Sequence, residues 1–462
     1  WPMMSLVDPV RSRELLDGML EPQRRHGWMP RWTAPGYVDA MVGTSSDQIL
    51  ADGERWGLLD DPRTALSSGW RNAAERAPDA RRGRKGIERG RFLGFIPRVI
   101  HEGMSWSIEN AVSDAALARL ADRLSAASSG DDAARDEALS RWLGNRALAY
   151  RQLFDPVVGF FRGRDADGRT AGGRFDPRVW GGDYVETNAW GMSVSAVHDR
   201  AGLAALYDGR QGLRIHLDRL FAEPETADAA FAGAYRQVIH EQREARALRS
   251  GMCAISNQPA HHIPYMYTGT DQPWLAGATA HRLARRLFAG GHIGQGFPGD
   301  EDNGEMSAWW LWAAIGLYPL ELGSGELVIG SPLLDDVTVA RSDGSRLRIR
   351  SRRPHADAHV LRAARVNGAP LTRAVLEVDA LGADVDLELE FGDDPAESLG
   401  ADEPTPVRPW HPDLTGGSGR IVHAPGVRHA RRLVDDGAAG GDRGVRLRPG
   451  AWVGWLFPEI TS

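Results

Sequence analysis

The stretch FPGDEDNGEMSAWWLWAAIGLYPL, from Phe297 to Leu320, decides how the rest of the chain is read. Its first half is a polar turn with glycine on both sides of three consecutive acids, Asp300, Glu301 and Asp302. Its second half, Met306 to Leu317, is aromatic and apolar, which predicts a buried helix ending before Pro319. Asp302 and Glu305 stand three residues apart, the spacing of a capping box with Asp302 as N-cap. Carboxylates at the positive end of a buried helix are favoured in their ionised, base-competent form. Three acids backed by Trp309, Trp310, Trp312 and Tyr318 exceed what capping requires and predict an acid-lined aromatic cleft of the kind that holds sugars.

Upstream, the apolar spacing predicts a series of helices. The first runs from Pro9 to Leu20. The turn HGWMPRW (26–32) follows and places Trp28 and Trp32 at a cleft. Residues 41–57 read as a Gly/Ser turn leading into a helix that buries Ile49, Leu50 and Trp56. Asp52 lies near the apolar face of that helix, so it is either a hydrogen-bonded core acid or a substrate contact. The Arg- and Ala-rich stretch 70–92 reads as an exposed helix and loop. Amphipathic helices are expected over 107–129 and 139–155, with further helices over 229–248 and from Leu275 to Ala289. About ten to twelve helices before Leu320, without strands, predict a mainly α fold, an (α/α)6 barrel over residues 1–323 with a cleft formed by loops at one end.

Downstream of Gly323 the pattern changes to period two around the turn SDGS (342–345). Residues 324–393 therefore read as a β-rich module packed on the barrel. The tail 394–462 reads as irregular or β, with short strand candidates in VRLRP (445–449) and WVGWLF (452–457).

Composition narrows the function. A chain of 462 residues with 42% hydrophobic and 25% charged residues can build a large soluble core. A net charge of −7 argues against nucleic acid as a partner. No apolar run reaches the length of a membrane span. The single cysteine, Cys253, permits no intrachain disulfide. The opening WPMMSLVDP has neither initiator Met nor signal peptide, so a mature or truncated piece of a longer protein is expected. Sixteen tryptophans suit stacking against sugar rings as well as core filling. The sequence has no GxSxG elbow, no P-loop, no HExxH pair and no GxGxxG opening a strand-helix unit.

Three loops concentrate polar and aromatic side chains: WGGDYVETNAW (180–190), SNQPAHHIPYMY (256–267) and GDEDNG (299–304). A ring of helices would let them meet at one mouth. Glycoside hydrolysis needs an acid to protonate the leaving oxygen and, with inversion, a base to activate water. Glu186, beside Tyr184, Trp190 and Trp180, is the acid candidate, because a partly dry aromatic setting raises a carboxyl pKa. Asp300 or Asp302 suits the base, and the oxygen-rich loops suit a hard cation such as Ca2+.

These loops, together with MVGTSSDQILADG (41–53), YRQLFDPVVGFFRGRDADGR (150–169) and LVIGSPLLDDVTV (327–339), closely resemble glycoside hydrolase family 92, the calcium-dependent exo-acting α-mannosidases. The resemblance runs to about residue 393. It implies an (α/α)6 barrel and an inverting exo-α-mannosidase that releases terminal mannose from N-glycans or mannans. It assigns Glu186 as general acid, with Thr187 in place of the family's glycine, and Asp300 and Asp302 as the base pair. Asp52 falls on a mannose contact, and Asn188, Trp190, Asn257, Gln258, His261, His262 and Trp28 complete the expected substrate-binding set. Asn257-Gln258-Pro259 departs from the His-Glu-Pro of α-1,2-selective members. The implied Ca2+ holds the mannose 2- and 3-hydroxyls, with Gln258, Asp300 and Asp302 as its nearest ligands. Family members carry a β-sandwich domain before the barrel that contributes to the cleft, and this chain is expected to start after it. The expected partner is an α-mannoside oligosaccharide or glycoprotein glycan, and the expected compartment is secreted or cell-surface in a bacterium, with the cytoplasm left open. The alternatives are a mannoside-binding fragment without catalysis, or a helical-barrel hydrolase for another glycoside or a mannosyl phosphodiester.

Overall fold

A computed structural model describes residues 1–289, 296–401 and 406–411, and the backbone of 420–423 and 454–456. The candidate strand VRLRP (445–449) lies outside the described residues. The helical part is an (α/α)6 barrel. Its helices are α1 (Pro2–Val7), α2 (Pro9–His26), α3 (Ser45–Arg55), α4 (Pro62–Ala74), α5 (Ile87–Leu93), α6 (Gly103–Ala126) and α7 (Gly130–Arg146). After these come α8 (Ala189–Met192), α9 (Arg200–Leu206), α10 (Arg210–Ala222), α11 (His240–Leu248), α12 (Leu275–Leu287) and α13 (Glu305–Ile315).

Local chemistry sets the ends of these helices. Asp8 accepts from the Arg11 N–H at 3.0 Å ahead of Pro9, and α2 stops at Gly27, whose φ of 71° only glycine adopts without strain. The centre is α6, which packs on α3, α4 and α7. The sequence pattern predicts an amphipathic helix there, but α6 is buried nearly all round, from Met104 to Leu124. Helices on both sides cover its polar as well as its apolar positions. Over 229–248 only α11 is α-helical, because Ala229–Phe231 and Gly233–Tyr235 form two short 3-10 turns.

Arg84 gives the clearest departure from the expected exposed stretch at 70–92. Its guanidinium is buried and reaches Asp114 at 2.6 Å and Asp47 at 3.1 Å, while Arg146 grips Asp114 at 2.6 Å. Two arginines and two aspartates thus neutralise one another beneath α3 and α6.

The β-rich region follows the predicted alternation. β7 (Asp336–Ala340) and β8 (Arg346–Arg352) form the hairpin around Asp343-Gly344. They join β9 (Val360–Val366), β10 (Ala369–Pro370) and β12 (Val385–Gly392) in a five-stranded sheet of order β10-β9-β12-β8-β7, with β12 parallel to β8. β5 (Leu317–Tyr318), β6 (Glu326–Ile329) and β11 (Val375–Glu377) form a three-stranded antiparallel sheet. Leu347, Ile349, Leu387 and Leu389 bury one face against Met3 and Leu6 of α1 and Trp312 and Ile315 of α13. That contact fixes the helix on which the acidic loop 299–304 is mounted. Two-residue hairpins β1–β2 (Trp32–Thr33 with Tyr37–Val38) and β3–β4 (Phe154–Asp155 with Phe160–Phe161) complete the ordered loops, and the backbones of Arg420–His423 (β13) and Gly454–Leu456 (β14) pair with each other.

Candidate active site

A cleft of about 820 Å³ opens where the loops meet. Val185 and Glu186, Ser256 to Pro259 with His262, and Asp300, Asp302 and Asn303 all line it, so the three polar loops do converge. Residues 41–49, α6, α11, α13 and the 318–322 segment supply further walls. Two loops touch through Gly299: a Cβ there would sit 2.2 Å from the Ser256 carbonyl oxygen. Only glycine allows the acidic turn to approach the 256–259 segment so closely.

Glu186 stands in a left-handed conformation, with φ 48°. An L residue holds that conformation only where its surroundings impose it. Here the Val185 N–H donates to Ser105 Oγ at 2.9 Å and the Glu186 N–H to Tyr235 Oη at 2.7 Å, so α6 and the 233–235 turn pin the loop from two sides. The Glu186 carboxylate accepts from Asn257 Nδ2 at 2.9 Å, and Asn257 Oδ1 accepts the Gln258 N–H at 3.0 Å. That second bond fixes the amide so that its NH2 faces the acid. Gln258 Nε2 in turn donates to Asp302 Oδ2.

The expected capping box does not form. Asp302 and Asn303 have φ of 55° and 57° and Gly304 of 100°, so the chain turns through three left-handed residues before α13. Gly304 becomes the N-cap, and Glu301 takes the capping role, accepting from the Gly304 N–H at 2.7 Å and the Ser307 hydroxyl at 2.8 Å. Asp302 is released to face the cleft and Gln258. Glu305 reaches His261 Nδ1 at 2.9 Å, a bond that holds its carboxyl below the usual range.

Not every expected contact lies in the cleft. Asp52 is buried at 3% exposure and accepts the Gly323 N–H at 2.9 Å. Burial pushes its pKa up to about 6. Asp52 thus stands as a hydrogen-bonded buried acid outside the lining of the cleft. Asn188 caps α8, accepting from the Gly191 N–H at 3.3 Å, and Trp190 stacks on His216 with ring centres 5.2 Å apart. Both are buried. They support the Glu186 loop from behind, because α8 starts directly after it. Trp28 packs beneath Arg71, 5.7 Å from its ring centre, and against Gly83, whereas Trp32 lines the cleft. His261 is buried beside Trp309, and its neighbour His262 lines the cleft. Burial first, then the charge of His261, lowers the His262 pKa to about 4, so it is a neutral imidazole.

Sequence reasoning missed several acids. Glu109 on α6, and Glu241 and Glu244 on α11, line the cleft. Burial raises Glu241, as do the charges of Glu186 and Glu244, and burial raises Glu109 to about 7. Glu109 had one legible signal, a lone acid among Ile108, Ala111 and Val112. Among the described residues seven carboxyls line the cleft against one arginine, Arg31, whose guanidinium is committed to Asp39 and to the ring of Trp106.

Gln258, Asp300 and Asp302 are oxygen donors at the mouth, a set chemically suited to calcium. Among the described residues no group of three or more acids, histidines or cysteines forms a ready-made metal cage. The set is open, leaving most of the roughly six to eight calcium positions to water and sugar oxygens.

No helix among the described residues is long and apolar enough to cross a membrane. No curated protein matches the chain. Among solved structures it resembles the family GH92 inverting mannosidase BT2199 of Bacteroides thetaiotaomicron, with a TM-score of 0.73 at 30% identity over 89% of this chain and 54% of that one. The family GH92 α-mannosidase BT3965 of the same bacterium, in complex with mannoimidazole, has a TM-score of 0.72 at 24% identity over 88% of this chain and 51% of that one. The GH92 glycosyl hydrolase ccman5 follows at 0.61 and 16%, over 88% and 53%. The chain spans about half the length of these structures. Residues 1–393 match the glycosyl hydrolase family 92 catalytic domain, and the chain belongs to that family.

Proposed function

We propose that this chain carries the catalytic site of an inverting exo-α-mannosidase acting on terminal α-linked mannose of N-glycans or mannans. One observation carries the reading: consecutive residues Asn257 and Gln258 hold Glu186 and Asp302, so a single dipeptide ties the acid and base candidates to one cleft. Glu186 gives its proton to the glycosidic oxygen as the bond to the anomeric carbon breaks. Asp300 or Asp302 takes a proton from the water that attacks that carbon from the other face. Gln258, Asp300 and Asp302 would hold a calcium ion, which when bound supplies positive charge for the sugar hydroxyls. A glycan substrate goes with a secreted or cell-surface enzyme.

The acid-rich lining speaks against the phosphodiester alternative, since seven carboxyls would repel a phosphate. The test is mannose release from α-1,2-, α-1,3- and α-1,6-mannobiose with Ca2+ and then with EDTA. Release that stops with EDTA is expected. Mannose binding without release from any linkage would overturn the catalytic reading in favour of a binding fragment.

A further inference from the structure

The cleft wall formed by α6 carries a carboxyl that the catalytic scheme does not use. Ser105, Glu109 and Val112 follow one another at helical spacing, and Glu109 and Val112 line the cleft. Ser105 holds the Val185 N–H at 2.9 Å, so Glu109, one turn on, lies beside the loop of the acid Glu186. The facing wall is the 42–49 segment. Gly43, with φ 84°, passes so near that a Cβ would meet the Glu109 Cβ at 3.2 Å. Thr44 anchors this segment, donating to Asp47 at 2.6 Å and accepting from Arg84 at 3.2 Å, and Gln48 ties it to Ser113 of α6 at 3.2 Å. The stem of Glu109 is therefore clamped and its carboxyl is left to the cleft.

That carboxyl has no hydrogen-bond or ion-pair partner among the described residues; burial is its one electrostatic influence. Five carboxyls around it are engaged: Asp47 and Asp114 by Arg84, Asp302 by Gln258, Glu305 by His261 and Glu186 by Asn257. A partly buried carboxyl without a partner costs stability, and a fold keeps one where a ligand completes it.

We infer that Glu109 is a sugar-binding residue, a specificity determinant that grips a ring hydroxyl of the terminal mannose on the α6 side of the cleft. The inference rests on the cleft being a mannoside site. A carboxyl offers paired acceptors to a hydroxyl, and one that titrates near neutrality can also donate to it. A site built to hydrogen-bond a substrate hydroxyl rejects the analogue that lacks it, because its own polar group is then left unpaired.

The experiment measures calorimetric binding of methyl α-mannoside and its monodeoxy analogues to wild type, Glu109→Ala and Glu109→Gln, with hydrolysis of an aryl α-mannoside measured separately. Glu109→Ala should weaken methyl α-mannoside at least tenfold, and the difference should vanish for the one analogue lacking the gripped hydroxyl. Glu109→Gln, which keeps a hydrogen-bonding group, should lose less. Both variants should have a Tm at pH 8 equal to or above that of wild type, since each removes an uncompensated buried charge. An equal penalty on every analogue, no penalty, or a lowered Tm in both variants would overturn the inference. Failure of hydrolysis with the binding pattern intact would sink the catalytic reading alone. A wild type that binds none of these sugars would sink both.

Discussion

Asn257 Nδ2 donates to Glu186 Oε2 at 2.9 Å, and the Gln258 N–H fixes the direction of that amide. The acid candidate is thus aimed by a residue 71 positions away on another loop. Asn257→Ala should lower kcat/KM on an unactivated mannoside by roughly tenfold to a hundredfold, the usual cost of losing a group that orients a reacting one. Asn257→Asp should lose more, because it puts a second carboxylate where the donor stood. Steady-state kinetics on a mannobiose checks both, and an unchanged rate for Asn257→Ala would mean that substrate alone orients Glu186.

Glu186→Gln removes the transferable proton. Its cost should depend on the leaving group: about a hundredfold to ten-thousandfold on a mannobiose, and little on an aryl mannoside whose phenolate leaves unaided. Equal losses on the two substrates would remove Glu186 from the acid role. A structure with bound sugar should place the Glu186 carboxyl about 6.5–9.5 Å from the base at Asp300 or Asp302; a gap near 5 Å would point to retention.

Gln258 holds Asp302 in place, so Gln258→Ala should weaken metal retention and activity together. The expected outcome is activity restored by millimolar Ca2+ after EDTA in wild type, with a higher Ca2+ requirement in the variant. An identical Ca2+ titration in both would exclude Gln258 from the metal set.

Much of this site was legible because its loops advertise themselves. Glycine, acid and aromatic runs at 180–190, 256–267 and 299–304 cannot all be turns or all be core, and they do meet in one cleft. What was not legible was direction. Asn188 and Trp190 sit two and four residues from Glu186, yet the short helix α8 turns them into the core. Asp302 fits a capping box by spacing, but three left-handed residues hand that role to Glu301. Arg84 resembles its exposed neighbours Arg81 and Arg89 in sequence, and only the fold brings Asp47 and Asp114 against it. Local patterns report periodicity and turns. Pairing across long sequence separations they do not report.

Asp52 makes a pH prediction. Its folded pKa is raised from 3.8 to about 6 by burial, so between these values the folded state holds a proton that the unfolded chain releases. Its contribution therefore worsens as pH rises from about 4 and is fully unfavourable above about 6, by up to about 3 kcal/mol. Asp52→Asn keeps an oxygen for the Gly323 N–H and removes the titration. The Tm difference, variant minus wild type, should climb across that window and level off above it. A flat difference would show that Asp52 titrates alike in both states.

The last prediction concerns the buried pair of arginines. Arg84 and Arg146 share Asp114, with contacts of 2.6–2.7 Å, and Arg84 also reaches Asp47. The Asp114 carboxyl stays below its usual range: burial raises it, but the charges of Arg146 and Arg84 outweigh that. Removing one member strands charge in a dry interior, so Asp114→Ala should destabilise by about 3–5 kcal/mol. Replacing Arg84, Arg146, Asp47 and Asp114 together by apolar residues removes every charge of the network, and should cost less than the single change. Arg84 also holds Thr44 in the loop opposite Glu109. The fourfold variant should consequently regain stability without regaining full affinity for methyl α-mannoside. Thermal unfolding and calorimetry on the same samples separate the two effects. Affinity that recovers in step with stability would show that the 42–49 wall keeps its shape without Arg84.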